Sequence, residues 1–254
     1  MIITRKAWGN YIRIMRRLND QAAQDMIQYM NNLRQAGIEG EAAARQLVDY
    51  AYRVATKYGE GAAAASCEMY DAVAVLSNAN VPPAVPARTA TYGETSKAVY
   101  GTLKVNPEIT PSAVGRLVKM AGVDTTMQNA IRDGAEWAWI PSGDTCAFCL
   151  MLASQGWLPA SQEQMNGDHA DHIHANCDCT FAIRFNSGME VAGYDPDRYL
   201  KMYRDADGTG WKQKLNSMRR EIYAENSEEI NAQKRDNYEK RKERESSEAE
   251  ELDV

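Results

Sequence analysis

The residues of this chain best suited to chemistry lie between Cys146 and Cys179. Five cysteines and three histidines occur in the whole sequence, and four of those cysteines and all three histidines fall in this stretch. It opens with Cys146-Ala147-Phe148-Cys149, continues through His169, His172 and His174, and closes with Cys177 and Cys179. Thiolates and imidazoles suit Zn²⁺, which takes about four ligands in a tetrahedron. A Cys-x-x-Cys turn sets two sulfurs on one side of an ion, and His174-x-x-Cys177-x-Cys179 can close the other. The candidate ligands are therefore Cys146, Cys149, His174, Cys177 and Cys179, one more than a four-coordinate ion needs, so Cys₄ and Cys₃His sets both stay open. A closed shell leaves no position for water, which makes the expected zinc structural. The plainer alternatives are reduced cysteines on a strand and a helix start, or a redox pair. A redox Cys-x-x-Cys calls for a βαβ context, and the helical stretch before Cys146 does not supply one. His169 and His172 read as loop residues. Cys67, alone in an Ala-rich helix, reads as a small buried hydrophobe.

Other chemistry finds less support. A zinc deaminase carries H-x-E ahead of its P-C-x-x-C; here the order is reversed and H-x-E is absent. Asp171-His172-Ile173 near a Cys-x-x-Cys suggests an HNH-type nuclease, but no histidine follows His174 to complete one. A metal-dependent nuclease acting on DNA is kept as the alternative function. No Ser-His-Asp set, P-loop or G-x-G-x-x-G stands out, and the chain reads as a non-enzyme.

The elements that must position the cluster are mostly helical. Trp8, Tyr11, Met15, Leu18, Ala22, Met26, Tyr29 and Leu33 recur every three or four residues, predicting a helix over 5–36 with Gly37 as its cap. Helices are expected over 41–57 and 62–76, interrupted at Gly59-Glu60-Gly61. Three prolines within Pro82–Pro86 predict an extended connector over 78–88. Residues 92–134 read as short helices, one opened by Thr110-Pro111, another preceded by Asp124, the last ending near Gly134. Glu136-Trp137-Ala138-Trp139-Ile140 reads as a strand before a turn at Pro141-Ser142-Gly143. Its tryptophans either wall the cysteine site or belong to the core. A short apolar helix follows over 150–153, ended by Gly156, then a polar loop over 159–171. A strand is expected over 179–185 with Cys179, Phe181, Ile183 and Phe185 on one face. Asp195-Pro196 opens a helix, and from Trp211 a long, increasingly charged helix runs on, its apolar face at Trp211, Leu215, Met218 and Ile222. The expected class is thus α+β and predominantly α-helical. It divides into an N-terminal helical region (1–77), a small zinc-knuckle-like α+β domain (89–210) and a charged C-terminal helix or tail (211–254).

Composition sets the outer bounds. The chain has 254 residues, is 44% hydrophobic and 25% charged, and carries a net charge of −6. That size supports a sizeable core. The acidic balance argues against indiscriminate binding to phosphate backbones, though Lys234-Arg235 and Lys240-Arg241-Lys242 form local basic runs. No apolar run approaches the roughly 18–20 residues of a membrane span, and the first residues lack a signal-peptide core. A reducing cytoplasm is expected, where clustered cysteines favour a metal site over disulfides.

Asp144-Thr145-Cys146-Ala147-Phe148-Cys149 followed by His174-Ala175-Asn176-Cys177-Asp178-Cys179 resembles the C-terminal motif of the Mu F-like head morphogenesis proteins of tailed bacteriophages. It is especially similar to that of minor capsid proteins of siphophages infecting Gram-positive hosts. The resemblance spans residues 137–185. Thr145 directly precedes Cys146 without the family's extra residue, Ala175 replaces a frequent proline, and Asp178 stands where a basic residue is common. The resemblance implies a structural minor capsid protein, present in the virion head and made in the host cytoplasm. Implied partners are the portal protein, the major capsid protein and scaffold, with contact to packaged DNA and none to membrane.

Overall fold

The computed structural model describes residues 2–3, 5–141, 146–163, 180–225, 227–228, 231–232 and 235. The described part is mostly helical with a small three-stranded sheet. Helix α1 spans Arg5–Gln35, and Trp8, Tyr11, Met15, Ala22, Met26 and Leu33 of the expected seam are buried. It ends as the sequence predicts. Gly37 sits at φ +65°, and the amides of Ile38 and Gly37 bond the carbonyls of Leu33 and Arg34, each at 3.0 Å, which satisfies the last turn.

The expected interruption at Gly59–Gly61 does not occur: α2 is continuous over Gly40–Leu76. The glycines serve packing instead. A Cβ on Gly59 would stand 3.0 Å from Thr89 Cγ2, and one on Gly61 would stand 3.2 Å from Leu18 Cδ2. Their absent side chains let neighbouring elements approach the α2 backbone, and that burial outweighs the roughly 1 kcal/mol helix cost of each glycine.

Helix α3 spans Tyr92–Val105. It starts with a capping box in which Thr91 accepts from the Glu94 amide and Glu94 accepts from the Thr91 amide. A single 3₁₀ turn, Pro107–Ile109, leads into α4, Thr110–Asp133. Pro111 opens α4 and Gly134 closes it at φ +66°, as read from the sequence. The expected second start at Asp124 is overturned, because that residue lies in the middle of α4. This helix is the centre of the bundle, packed against α1, α2 and α3. Gly115 lies against Asn19 of α1, and Gly122 lies where Met15 of α1 and Ser66 of α2 meet. Helices can cross this closely only where no side chain intervenes.

Residues 79–91 carry neither helix nor strand, as the prolines predict, but they run along α4 as a strap; the expected extended start at Asn78 is corrected, because that residue lies in a turn at φ +50°. Asn129 acts as a surrogate peptide group, its Oδ1 accepting from the Val85 amide (2.9 Å) and its Nδ2 donating to the Val85 carbonyl (2.8 Å). Thr125 Oγ1 accepts from the Ala87 amide, Asp71 from the Ala84 amide, and Arg132 donates to the carbonyls of Pro82 and Pro83. Asp133 fixes Arg132 from one side and accepts from the Tyr70 hydroxyl on the other. One hydrophobic core therefore runs continuously across the proline segment.

Beyond the bundle, β2 (Glu136–Ile140) is the central strand of a sheet with β3 (Leu158–Pro159) and β4 (Thr180–Arg184), both antiparallel to it. A parallel pair of two-residue strands, β1 (Ile2–Ile3) and β5 (Glu190–Val191), ties the start of α1 to this region. The expected one-faced strand at 179–185 is corrected: Thr180, Phe181, Ala182 and Ile183 of β4 are all buried. Trp137 and Trp139 flank Phe181 at ring separations of 4.6 and 4.7 Å, and all three are core residues. Helices α5 (Ala147–Ala153), α6 (Pro196–Asp205) and α7 (Trp211–Glu225) also belong to the described part of the chain. Asp195 caps α6 through the Arg198 amide. Lys214 of α7 reaches back to the carbonyls of Tyr203, Arg204 and Ala206 at the end of α6.

Candidate functional site

The first half of the cysteine cluster is fixed by β2 and α5. Strand β2 leads toward Cys146, which is the N-cap of α5 with extended backbone angles (φ −70°, ψ 155°). Its carbonyl accepts from the Leu150 amide at 3.1 Å, which closes the first helical turn. That turn brings Cys149 back over Cys146, and the two Sγ atoms stand 3.6 Å apart. A disulfide would require about 2.05 Å, so these are two thiols. Two sulfurs bound to one tetrahedral zinc, each about 2.3 Å from the ion, stand about 3.8 Å apart. The pair thus matches two corners of such a site.

Their surroundings differ. Cys149 is fully buried and joins the main core together with Ala153. Ala147, Phe148 and Leu150 on the other side of α5 form a second, smaller core with Ala206, Leu215 and Met218. Cys146 is half-buried and touches both cores. The short helix therefore stitches the bundle and sheet to α6 and α7, and the thiols sit at the seam.

The other candidate ligands, His174, Cys177 and Cys179, lie outside the described residues, as do His169 and His172. Topology still constrains where the second half enters. Thr180, the first residue of β4, pairs with Ile140, the last of β2. The end of β2 and the start of β4 therefore lie at the same end of the sheet, and α5 packs onto β2. Among the described residues, no three His, Cys, Asp or Glu side chains are gathered as a metal site. Cys67 is a free, half-buried thiol on α2, raised in pKa by burial first and by Asp71 and Glu68 next.

The opposite end of the sheet holds a contact that sequence reading missed. Arg184 donates to Glu136 at 2.5 Å and lies 4.7 Å over the ring of Trp157. The partners are far apart in sequence and carry no motif; only the β2–β4 register brings them together.

A second cluster of charge lines a hollow of about 260 Å³ under the end of the strap, including Arg88, Glu94, Arg116 and Asp124. Arg88 grips Glu94 with two bonds of 2.8 Å. Those bonds, with the Thr91 amide and hydroxyl, hold Glu94 down at about 2 against the opposing effect of burial. Asp124 is pushed up to about 6 by burial, with Glu94 adding and Arg88 opposing. The bidentate pair and the capping box give this cluster a structural task, anchoring the strap to α3.

The VG15 protein family matches the chain over residues 2–206. The chain belongs to that family. It is a viral, phage-associated family, and the matched span takes in α1 through α6, the strap and both halves of the cysteine cluster. No curated protein and no solved structure matches the chain. The match is broader in extent than the knuckle resemblance of residues 137–185 and coarser in what it says of function. No helix among the described residues is long and apolar enough to cross a membrane.

Proposed function

We propose that this protein is a structural minor capsid protein of a tailed bacteriophage head, with a Mu F-like knuckle closed by a structural zinc ion and no catalytic role. Cys146 and Cys149 would hold the ion together with two of His174, Cys177 and Cys179. Bound there, zinc supplies a cross-link between the start of α5 and the entry to β4, and no reaction. The partners on this reading are the portal protein, the major capsid protein and scaffold, with packaged DNA as a further contact. The protein is made in the host cytoplasm and ends in the virion.

The observation that carries the reading is the thiol pair, 3.6 Å apart, at the sheet end where the second half of the motif enters, in a chain of a viral family. Metal analysis of protein purified without chelator, combined with thiol titration, tests the site. Zinc with protected thiols is expected, and protein with neither refutes it. Co-expression with the portal protein, followed by imaging of assembled heads, tests the role. Heads that never contain the chain would refute it.

A further inference from the structure

The hollow under the strap holds a carboxylate that the anchoring of the strap does not use. Arg88 and Glu94 are occupied with each other and with the capping box of α3. Asp124 belongs to neither arrangement. Among the described residues its carboxylate makes no hydrogen bond and no ion pair. It stands half-buried in the middle of α4, where burial favours its protonated form. Packing alone would be better served there by an uncharged side chain. A ligand of opposite charge would restore what burial removes.

The rest of the lining is mostly apolar: Leu117, Met120 and Ala121 of α4, and Ala90 of the strap. At about 260 Å³ the hollow is smaller than the roughly 300–1,000 Å³ of drug-sized sites, so its ligand has few heavy atoms. The side chains of Arg88 and Glu94 are 67% and 44% exposed, so the hollow is reached from solvent beside them. The sign of the ligand follows from the charges that face Asp124. Arg88 acts on it from the strap and Glu94 from α3, and their bidentate pair is neutral as a unit. Arg116, on the same helix as Asp124, also lines the hollow and is already engaged. No described residue of α1 or α2 is in the lining. The charge left for a newcomer is the carboxylate of Asp124.

We propose that this hollow binds a small protonated alkylamine, its ammonium donating to the Asp124 carboxylate and its short stem lying on Leu117, Met120 and Ala121. The amine is either free in solution or the tip of a lysine side chain. Such an occupant removes the burial penalty on the charged carboxylate, so it stabilises the folded chain.

Ligand-observed NMR and thermal unfolding of the full chain test it, at constant ionic strength, with n-butylammonium as the probe. Butyrate and 1-butanol keep the stem with a negative charge and with none, and Nα-acetyl-lysine methylamide presents the lysine tip. Saturable binding of n-butylammonium and a rise in Tm are expected at pH 7.5. Asp124→Asn and Asp124→Ala, each checked for cooperative unfolding, should weaken the affinity at least tenfold and remove the rise. Asp20→Asn, on the exposed side of α1, should change neither. In the parent chain the affinity should fall roughly tenfold from pH 7.5 to pH 5, because Asp124 titrates near 6. Saturation by n-butylammonium alone supports a free amine, and saturation by the lysine derivative as well supports a lysine tip. Failure of n-butylammonium to saturate overturns the proposal, as does an affinity that ignores pH over this range or survives both Asp124 substitutions. Equal binding of 1-butanol overturns it too. Binding of butyrate in place of n-butylammonium overturns it and assigns the hollow to its arginines.

Discussion

Asn129 offers the sharpest test of how the strap is held. Its side chain is 1% exposed and makes three neutral hydrogen bonds: to both backbone groups of Val85, and to the Thr125 carbonyl at 2.7 Å. Each such bond contributes about 0.5–1.5 kcal/mol net, so replacement by alanine removes roughly 1.5–4.5 kcal/mol before compensation. Two features lower that figure. Val85 is 56% exposed, so water can re-solvate its amide and carbonyl, and the Thr125 carbonyl lies within α4, where the helix ladder already uses it. Asn129→Ala should therefore cost about 2–3 kcal/mol, a fall of about 4–12 °C in Tm at this chain size. Asn129→Asp keeps the shape and the acceptor for the Val85 amide but turns a carboxylate toward two carbonyl oxygens. It should cost at least as much at neutral pH, with partial recovery in acid as the carboxyl regains a proton to donate. Urea unfolding gives the energies, and amide exchange at Val85 and Ala87 reports the strap locally. A loss below about 0.5 kcal/mol, outside the range for such bonds, with unchanged exchange at Val85 would refute the assignment of Asn129 as the anchor.

Gly122→Val places methyl groups where a Cβ alone would stand 2.7 Å from Met15 Cε and 2.9 Å from Ser66 Oγ. It should destabilise by about 1–3 kcal/mol or more by overpacking, seen as a lower urea midpoint at unchanged m-value. The folded Asp124 carboxyl titrates near 6, above its ordinary 3.8. The folded state therefore favours the protonated form, and the penalty for charging this group is absent below pH 4 and fully felt above pH 6. Asp124→Asn should stabilise by up to about 1–3 kcal/mol at pH 7.5 and flatten the stability profile between pH 4 and 6; an unchanged profile would show that Arg88 already offsets the burial. If the proposed zinc site is present, Cys146→Ser should lower both zinc content and Tm, and a variant with parent stability and parent zinc would remove the staple.

Much of the helical framework was legible because it follows local rules. The seam of α1, the Gly37 cap, the Thr110-Pro111 start, the Gly134 stop and the Asp195 cap all lie within a few residues of their partners. The failures were all at tertiary contacts. Gly59 and Gly61 read as breakers because the reason for a glycine there, the approach of Thr89 and Leu18, lies on other elements. Helix α4 read as fragments because Asp124 reads as the residue before a helix start, whereas it lies in the middle of α4. In the fold, Thr125 and Thr126 satisfy their hydroxyls on the carbonyls of Ala121 and Gly122, so small polar side chains can line a central helix. Strand β4 read as one-faced because alternation reports one neighbour layer, and this strand is buried on both sides. The cysteine cluster was legible as composition and spacing. Its first half is now placed, while His174, Cys177 and Cys179 lie outside the described residues.

The position of the thiol pair also explains why a metal staple would be useful here. Among the described residues strand β4 is an edge strand, with β2 on one side only. Its far end is held by Arg184, through Glu136 and the face of Trp157. Its near end begins at Thr180, and the Thr180 hydroxyl finds no hydrogen-bond partner among the described residues. A five-residue ladder pinned at one end frays from the other, because each opened bond frees backbone entropy. A cross-link from Cys179 or Cys177 to the pair on α5 would close that end. Since α5 also joins the two cores through its opposite faces, the same ion would hold the bundle, the sheet and the α6–α7 unit together. On the proposed reading a bound zinc ion would govern how the bundle, the sheet and the α6–α7 unit hold together, a property that would suit a structural protein whose neighbours pull on its helices.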